Sequence, residues 1–150
     1  MADTTVLTDG RARSTGPLME RMVQLYYCDM VPYAHLSFRE VYDIIKTVPY
    51  RPDPPHVETL MRPYLTLRRR GTGGDCDDKC IALGSYCRLK QIPCRFVAVR
   101  KRGKKNLHHV MCECYIGSKW IVADPTYAFN TLGREREGIV ERVTIGQAYP

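Results

Sequence analysis

Three residues have the types and the order needed for acyl-transfer chemistry. Cys76 stands in Gly74-Asp75-Cys76-Asp77-Asp78-Lys79-Cys80, His109 lies on a later segment of alternating residue types, and Asp124 opens Asp124-Pro125-Thr126 just beyond Trp120. A Cys, a His and an Asp supply a thiol nucleophile, its base and the group that orients the base. In that scheme His109 takes the proton of Cys76, the thiolate attacks the carbonyl of a protein or peptide amide, and the imidazolium protonates the leaving amine. Asp124 fixes the imidazole tautomer and stabilises the imidazolium. The fate of the acyl-enzyme decides the activity: water makes a hydrolase, a lysine or other amine makes a transferase.

The elements that must position these groups follow from local pattern. Asp75 is a plausible N-cap for a helix over 76–90 that stops before Pro93, which puts Cys76 in the first turn. There the backbone N–H groups and the helix dipole favour a thiolate, while Asp75, Asp77 and Asp78 oppose it. Sequence leaves the net sign open, so activation is assigned to the histidine. The Cys76 N–H is the natural oxyanion donor, with Tyr50, Tyr64 and Gln24 as candidates for a second. Cys80 and Cys87 return to the face of Cys76 and are read as small core residues.

Beyond the helix, 95–100 reads as a central strand and 108–116 as an alternating one. Its even positions, Val110, Cys112, Cys114 and Ile116, are the packing set. Its odd positions, with His109, face a cleft or solvent, and His108 has the wrong parity. Gly117-Ser118 is a two-residue hairpin signal, with the partner strand at 119–124. Pairing across that turn puts His109 opposite Thr126, and a slip of two residues puts it opposite Asp124. In both registers His109 and Asp124 share a face, within roughly 5–8 Å between Cβ atoms. Trp120 is expected in the core beside this hairpin.

Upstream, residues 1–16 read as a flexible arm and 17–150 as a single domain. A first helix is expected from Pro17 to about Asp29. A second starts at the capping box Ser37 to Glu40 and stops at Val48-Pro49. Prolines make 50–55 extended, and 56–67 is expected as a short helix or turns around Pro63. The glycines of 71–74 make a flexible approach to Cys76. His35 and His56 are surface or capping groups. The tail beyond Leu132 carries an alternating run at 139–145, one more strand or a contact arm.

The chain has 150 residues, 44% hydrophobic and 26% charged, with a net charge of +7. That suits one domain with a single core. Seven cysteines, an odd number clustered in the middle of the chain, do not make a secreted disulfide framework and are read as reduced thiols. No signal peptide or membrane span is expected, so the expected location is the cytoplasm, or a virion assembled there. The run Arg68-Arg69-Arg70 and the cations Arg100, Lys101, Arg102, Lys104 and Lys105 are read as solvated positions, with weak polyanion binding through the second group as the functional alternative. A zinc site from Cys76, Cys80, Cys112 and Cys114 is disfavoured, because Cys112 and Cys114 belong to the packed face. No metal and no cofactor is expected.

Gly74 to Lys79, Ile92-Pro93-Cys94-Arg95-Phe96-Val97, His109-Val110, and Gly117-Ser118-Lys119-Trp120-Ile121-Val122-Ala123-Asp124-Pro125-Thr126 together resemble the three blocks of the transglutaminase-like superfamily of papain-like cysteine enzymes. Val48-Pro49-Tyr50-Arg51-Pro52-Asp53-Pro54 and Glu58-Thr59-Leu60 resemble the segment before the nucleophile in short members from bacteria and tailed phages. The resemblance implies an α+β papain-like fold, its nucleophile helix packed against an antiparallel sheet, with Cys76 as nucleophile, His109 as base and Asp124 as orienting acid. One position departs from the family pattern: Met111 stands where an aromatic usually follows the histidine. Three functions fit: a cysteine hydrolase of peptide or amide bonds, an amine-accepting crosslinker, and a virion or assembly component that binds virion proteins and keeps only the fold.

Overall fold

The computed structural model describes residues 5–8, 11–54, 58–68 and 73–150. A four-stranded antiparallel sheet of order β5-β4-β3-β6 is built from β3 (Cys94–Lys101), β4 (His109–Ile116), β5 (Lys119–Ala123) and β6 (Ile139–Tyr149). Helix α4 (Cys76–Lys90) lies on one face, enclosed on its other sides by α1 (Ala12–Tyr26), a 3-10 helix (Tyr27–Tyr33), α2 (Phe38–Thr47) and α3 (Pro63–Leu67). Every residue of α4 from 77 to 87 is buried. A helix buried all round needs apolar or small residues on all faces, which Cys80, Ile81, Ala82, Leu83 and Cys87 provide. The main core joins these to Phe96, Ala98, Val110, Cys112 and Cys114 from the sheet. Mixed helix and antiparallel sheet is the α+β class expected from the sequence, with the nucleophile helix against the sheet.

Several expectations are corrected. Helix α1 begins at Ala12, not Pro17, and Thr15 and Gly16, assigned to the arm, are buried in it. Gly16 allows α1 to lie directly on β6: a Cβ there would sit 2.0 Å from the Ile145 carbonyl oxygen. Pro17 signals a helix start, but Thr15 Oγ1 and the Ser14 and Thr15 N–H groups bond back to the Arg11 carbonyl and open the helix earlier. Its C-terminal end passes into the 3-10 helix at Tyr27 rather than continuing to Asp29. Residues 58–61 form strand β2 (Glu58–Met61), not helix or turn, because they pair with β1 (Thr5–Thr8), also within the expected arm. The rest of the arm call at 1–4 and 9–10, the reading of His56, and the segment 69–72 lie outside the described residues.

The two faces of the sheet also differ from expectation. Met111 on the odd face of β4 is buried against Val97 and Val99, with Val122 and Ile139 around it, so only part of that face is open. Trp120 is not in the core. It is 41% exposed, edge-on to Tyr115, with the Arg95 guanidinium 4.1 Å above its ring. The alternating run at the C-terminus is β6, longer than expected and paired with β3 through three register shifts. No helix among the described residues is long and apolar enough to cross a membrane.

Candidate active site

The start of α4 is held by carboxylates. Asp75 is the N-cap: its Oδ1 accepts the N–H groups of Asp77 (3.0 Å) and Asp78 (3.2 Å), and Asp78 Oδ2 accepts the Asp75 N–H in return (3.2 Å). This is a capping box with Asp at both ends. Asp78 Oδ1 also accepts the Met61 N–H (2.9 Å), tying β2 to the helix. The chain reaches this turn through Gly73, at φ +80°, where a Cβ would sit 2.2 Å from the Pro49 carbonyl oxygen. Gly74 donates to Pro49 and accepts from Arg51, which pins Tyr50 beside the approach to Cys76.

Burial, with these carboxylates adding to it, answers the question that the sequence left open. Burial pushes the Cys76 thiol well above its ordinary range, and Asp77 and Asp75 push it further the same way. Two of the N–H groups that would favour a thiolate are already taken by Asp75. The thiol instead donates a weak bond to Asp77 Oδ1 at 3.9 Å. Asp75, Asp77 and Asp78 are themselves pushed up, first by burial, with the Glu58 carboxyl and then Asp75 adding at Asp77, and Asp78 adding at Asp75. Cys76 therefore rests as a neutral thiol.

The opposite wall comes from the β4–β5 hairpin. Gly117 and Ser118 both have positive φ, +60° and +69°, as a type I′ turn requires. The register is Cys112 with Ala123, Cys114 with Ile121 and Ile116 with Lys119. Continued past Ala123, it puts His109 opposite Thr126, the first of the two registers considered. His109 Nε2 and Asp124 Oδ2 are 2.7 Å apart, and both side chains are largely buried. Asp124 Oδ1 accepts the Thr126 N–H (3.1 Å), while its main-chain carbonyl accepts from the Tyr42 hydroxyl (2.9 Å) and Asn130 Nδ2 (3.2 Å). Burial works to raise the Asp124 carboxyl, but the bond and charge of His109 and the bonds to Thr126 outweigh it and hold it below its usual range. With Nε2 engaged by Asp124, Nδ1 is the imidazole nitrogen left for a proton transfer.

Cys76 and His109 line one small cleft with Asp77, Glu58, Thr15 and His108. His108 is exposed, although its parity placed it with the packing set; burial is the first cause lowering it, with Lys104 and Lys101 acting the same way. Of the three candidates for a second oxyanion donor, only Tyr50 is beside the approach to Cys76. Burial, then Tyr127 and Cys76, push its hydroxyl up, so it stays protonated and able to donate. Tyr64 lines a separate groove with Asp29 and Tyr33, and Gln24 is exposed on α1.

Sequence reading missed other neighbours of the site. Tyr127 stacks over His109 (6.4 Å between centroids, 12° between planes) and continues to Tyr50 on one side and Phe129 on the other. Its place directly after Thr126 was the available signal. Tyr42, which fixes the Asp124 backbone from α2, carried only its helical periodicity. The cysteines converge differently from the weighed zinc set: Cys87 and Cys114 sulfurs are 3.8 Å apart, Cys114 and Cys94 3.6 Å, and these three lie within 4.8 Å of one another without Cys76 or Cys80. Asp53, Glu58 and Asp75 bring carboxylate oxygens equally close.

A family model described as the Transglutaminase-like superfamily matches residues 32–125, from the 3-10 helix to the residue after Asp124. Neither the curated proteins nor the solved structures give a match.

Proposed function

The chain belongs to the transglutaminase-like superfamily, a family of papain-like cysteine enzymes, and from that premise we propose that it is a cysteine hydrolase of peptide or amide bonds using Cys76, His109 and Asp124. The observation that carries this reading is the 2.7 Å pair of His109 and Asp124 on the same cleft as a thiol at a helix start. Because the thiol rests neutral, the proton moves to His109 Nδ1 as the sulfur attacks, rather than before substrate arrives. The Cys76 N–H, with the Tyr50 hydroxyl as second donor, takes the developing oxyanion. Collapse of the tetrahedral species expels the amine, which leaves with the proton from His109, and a thioester remains on Cys76. Water activated by the same imidazole then releases the acid.

One observation favours amine transfer as a second reading. Glu58 on the cleft wall is an acidic group that suits a cationic amine approaching the thioester. Exposed Arg102, Lys104 and Lys105, with Lys101 and Arg100 beside them, favour an acidic partner near the cleft, although Arg100 is engaged by Glu141 at 3.0 Å. Incubation with a peptide mixture in ¹⁸O water separates the outcomes. Hydrolysis puts ¹⁸O into new carboxyl groups, and transfer gives isopeptide bonds without it. Product patterns identical for the native chain and Cys76→Ala contradict both readings.

A further inference from the structure

Lys79 lies one turn after Cys76 and is 1% exposed. Lysine is almost never buried this completely unless its charge is used. Its ammonium has three protons and three carbonyl acceptors: Val48 at 2.5 Å, Thr126 at 2.7 Å and Lys46 at 3.5 Å. Lys46 and Val48 belong to the C-terminal end of α2, where carbonyls lack helical partners and a cation is favoured. Thr126 closes the turn that begins at Asp124, and its N–H is the one bonded to Asp124 Oδ1. One side chain on the nucleophile helix thus binds both the end of α2 and the turn that carries the acid.

No carboxylate forms an ion pair with Lys79 among the described residues. The charged and titratable groups acting on it are Asp124, whose charge supports the ammonium, and Cys80 on its own helix; the end of α2 presents the Lys46 and Val48 carbonyls, while the Lys46 ammonium is committed to the Asn130 carbonyl at 3.1 Å and to Asp43 at 3.5 Å. Burial lowers Lys79 to about 8, with Asp124 opposing the shift. A neutral amine has one donor fewer and turns a lone pair toward carbonyl oxygens, so it cannot hold the three acceptors together.

We propose that Lys79 is a positioning residue whose ammonium clamps the 124–126 turn to the nucleophile helix and so holds Asp124 in line with His109. The proposal rests on the reading of Cys76, His109 and Asp124 as a triad, but its main readout does not require activity. The imidazole N–H shared between His109 and Asp124 gives a far-downfield proton resonance. Lys79→Met and Lys79→Gln, checked for folding by circular dichroism, are expected to lose that resonance and to lower the alkylation rate of Cys76 by at least about tenfold, since small misplacements of reacting groups are costly. Lys79→Arg, which keeps the charge, is expected to retain more of both than either neutral variant. A folded neutral variant that keeps the resonance overturns the proposal. Loss of the resonance with Cys76 alkylation unchanged supports the clamp and contradicts the triad reading instead. Should neither neutral variant fold, the native chain decides. Deprotonation of Lys79, followed through its ε-carbon resonance, must weaken the His109 signal, and deprotonation without that change overturns the clamp.

Discussion

The two walls of the cleft are electrostatic opposites. At the start of α4, Asp75, Asp77 and Asp78 lie buried within four residues; burial pushes all three and the Cys76 thiol up, and Asp77 and Asp75 push the thiol further. At the end of β5, one buried carboxylate, Asp124, is matched by His109, the Thr126 N–H and the nearby Lys79 ammonium, and it is held down. Both walls are tied together by carboxylate–backbone bonds: Asp75 and Asp78 accept N–H groups of the helix start and of Met61, and Asp124 accepts the Thr126 N–H. What differs is how the acidic groups are matched. The nucleophile wall crowds buried acidic groups together, so that the carboxyls and the sulfur all favour their protonated forms, while the base wall is balanced and keeps the imidazole oriented. On the proposed triad reading, the reactive state is made by proton transfer between the walls.

The largest test of this contrast removes the balanced carboxylate. Asp124→Asn keeps the shape and hydrogen-bonding capacity but not the charge, and it frees the imidazole tautomer. Cys76 alkylation is expected to fall by at least about 100-fold, by analogy with the orienting acid of other triads. A loss under threefold would mean that Asp124 serves only the fold.

The next test reads the walls through stability. For Asp75, Asp77 and Asp78 the folded pKa lies above the unfolded one, so their contribution is complete at low pH and is lost as pH rises above about 4, where the unfolded carboxyls ionise. Asp124 has the opposite sign: its contribution is present above the unfolded pKa and is lost as pH falls through the depressed folded value. Denaturant melts are therefore expected to show stability declining from pH 5 toward pH 8 and declining again in acid. Asp77→Asn should flatten the first slope alone. A native chain more stable at pH 8 than at pH 5 would invert the assignment.

The smallest effect concerns reactivity at Cys76 itself. The same Asp77→Asn change replaces the acidic group nearest the sulfur with a neutral amide that can donate an N–H to a thiolate, so alkylation at neutral pH is expected to rise a few-fold. An unchanged or slower rate would show that burial alone sets the thiol.

Much of this was legible in the chain. Periodicity and caps placed α2 and α4 closely, and parity alone put His109 and Asp124 on one face, because a strand's period of two is unambiguous once its turn is known. Elements that depend on partners distant in sequence were not legible. β2 exists because β1 pairs with it, and α1 lies directly on β6 because Gly16 fits against Ile145. Trp120 belongs outside because Arg95 and Tyr115 cover it there, which no local pattern encodes. Lys79 was invisible as a site residue because its partners are main-chain carbonyls, which leave no mark on residue type. The sign at Cys76 needed burial, which sequence does not measure.

The central claim is that His109 activates an otherwise neutral Cys76. Cys28 is exposed and serves as an internal reference thiol, since five of the other cysteines are buried. The most direct measurement is the alkylation rate of Cys76 relative to Cys28 at neutral pH, mapped by mass spectrometry in the native chain and in His109→Ala. The account predicts that Cys76 reacts ahead of Cys28 in the native chain and drops at least about tenfold in the variant while Cys28 is unchanged. A Cys76 that reacts no faster than Cys28, and equally in both proteins, would contradict it.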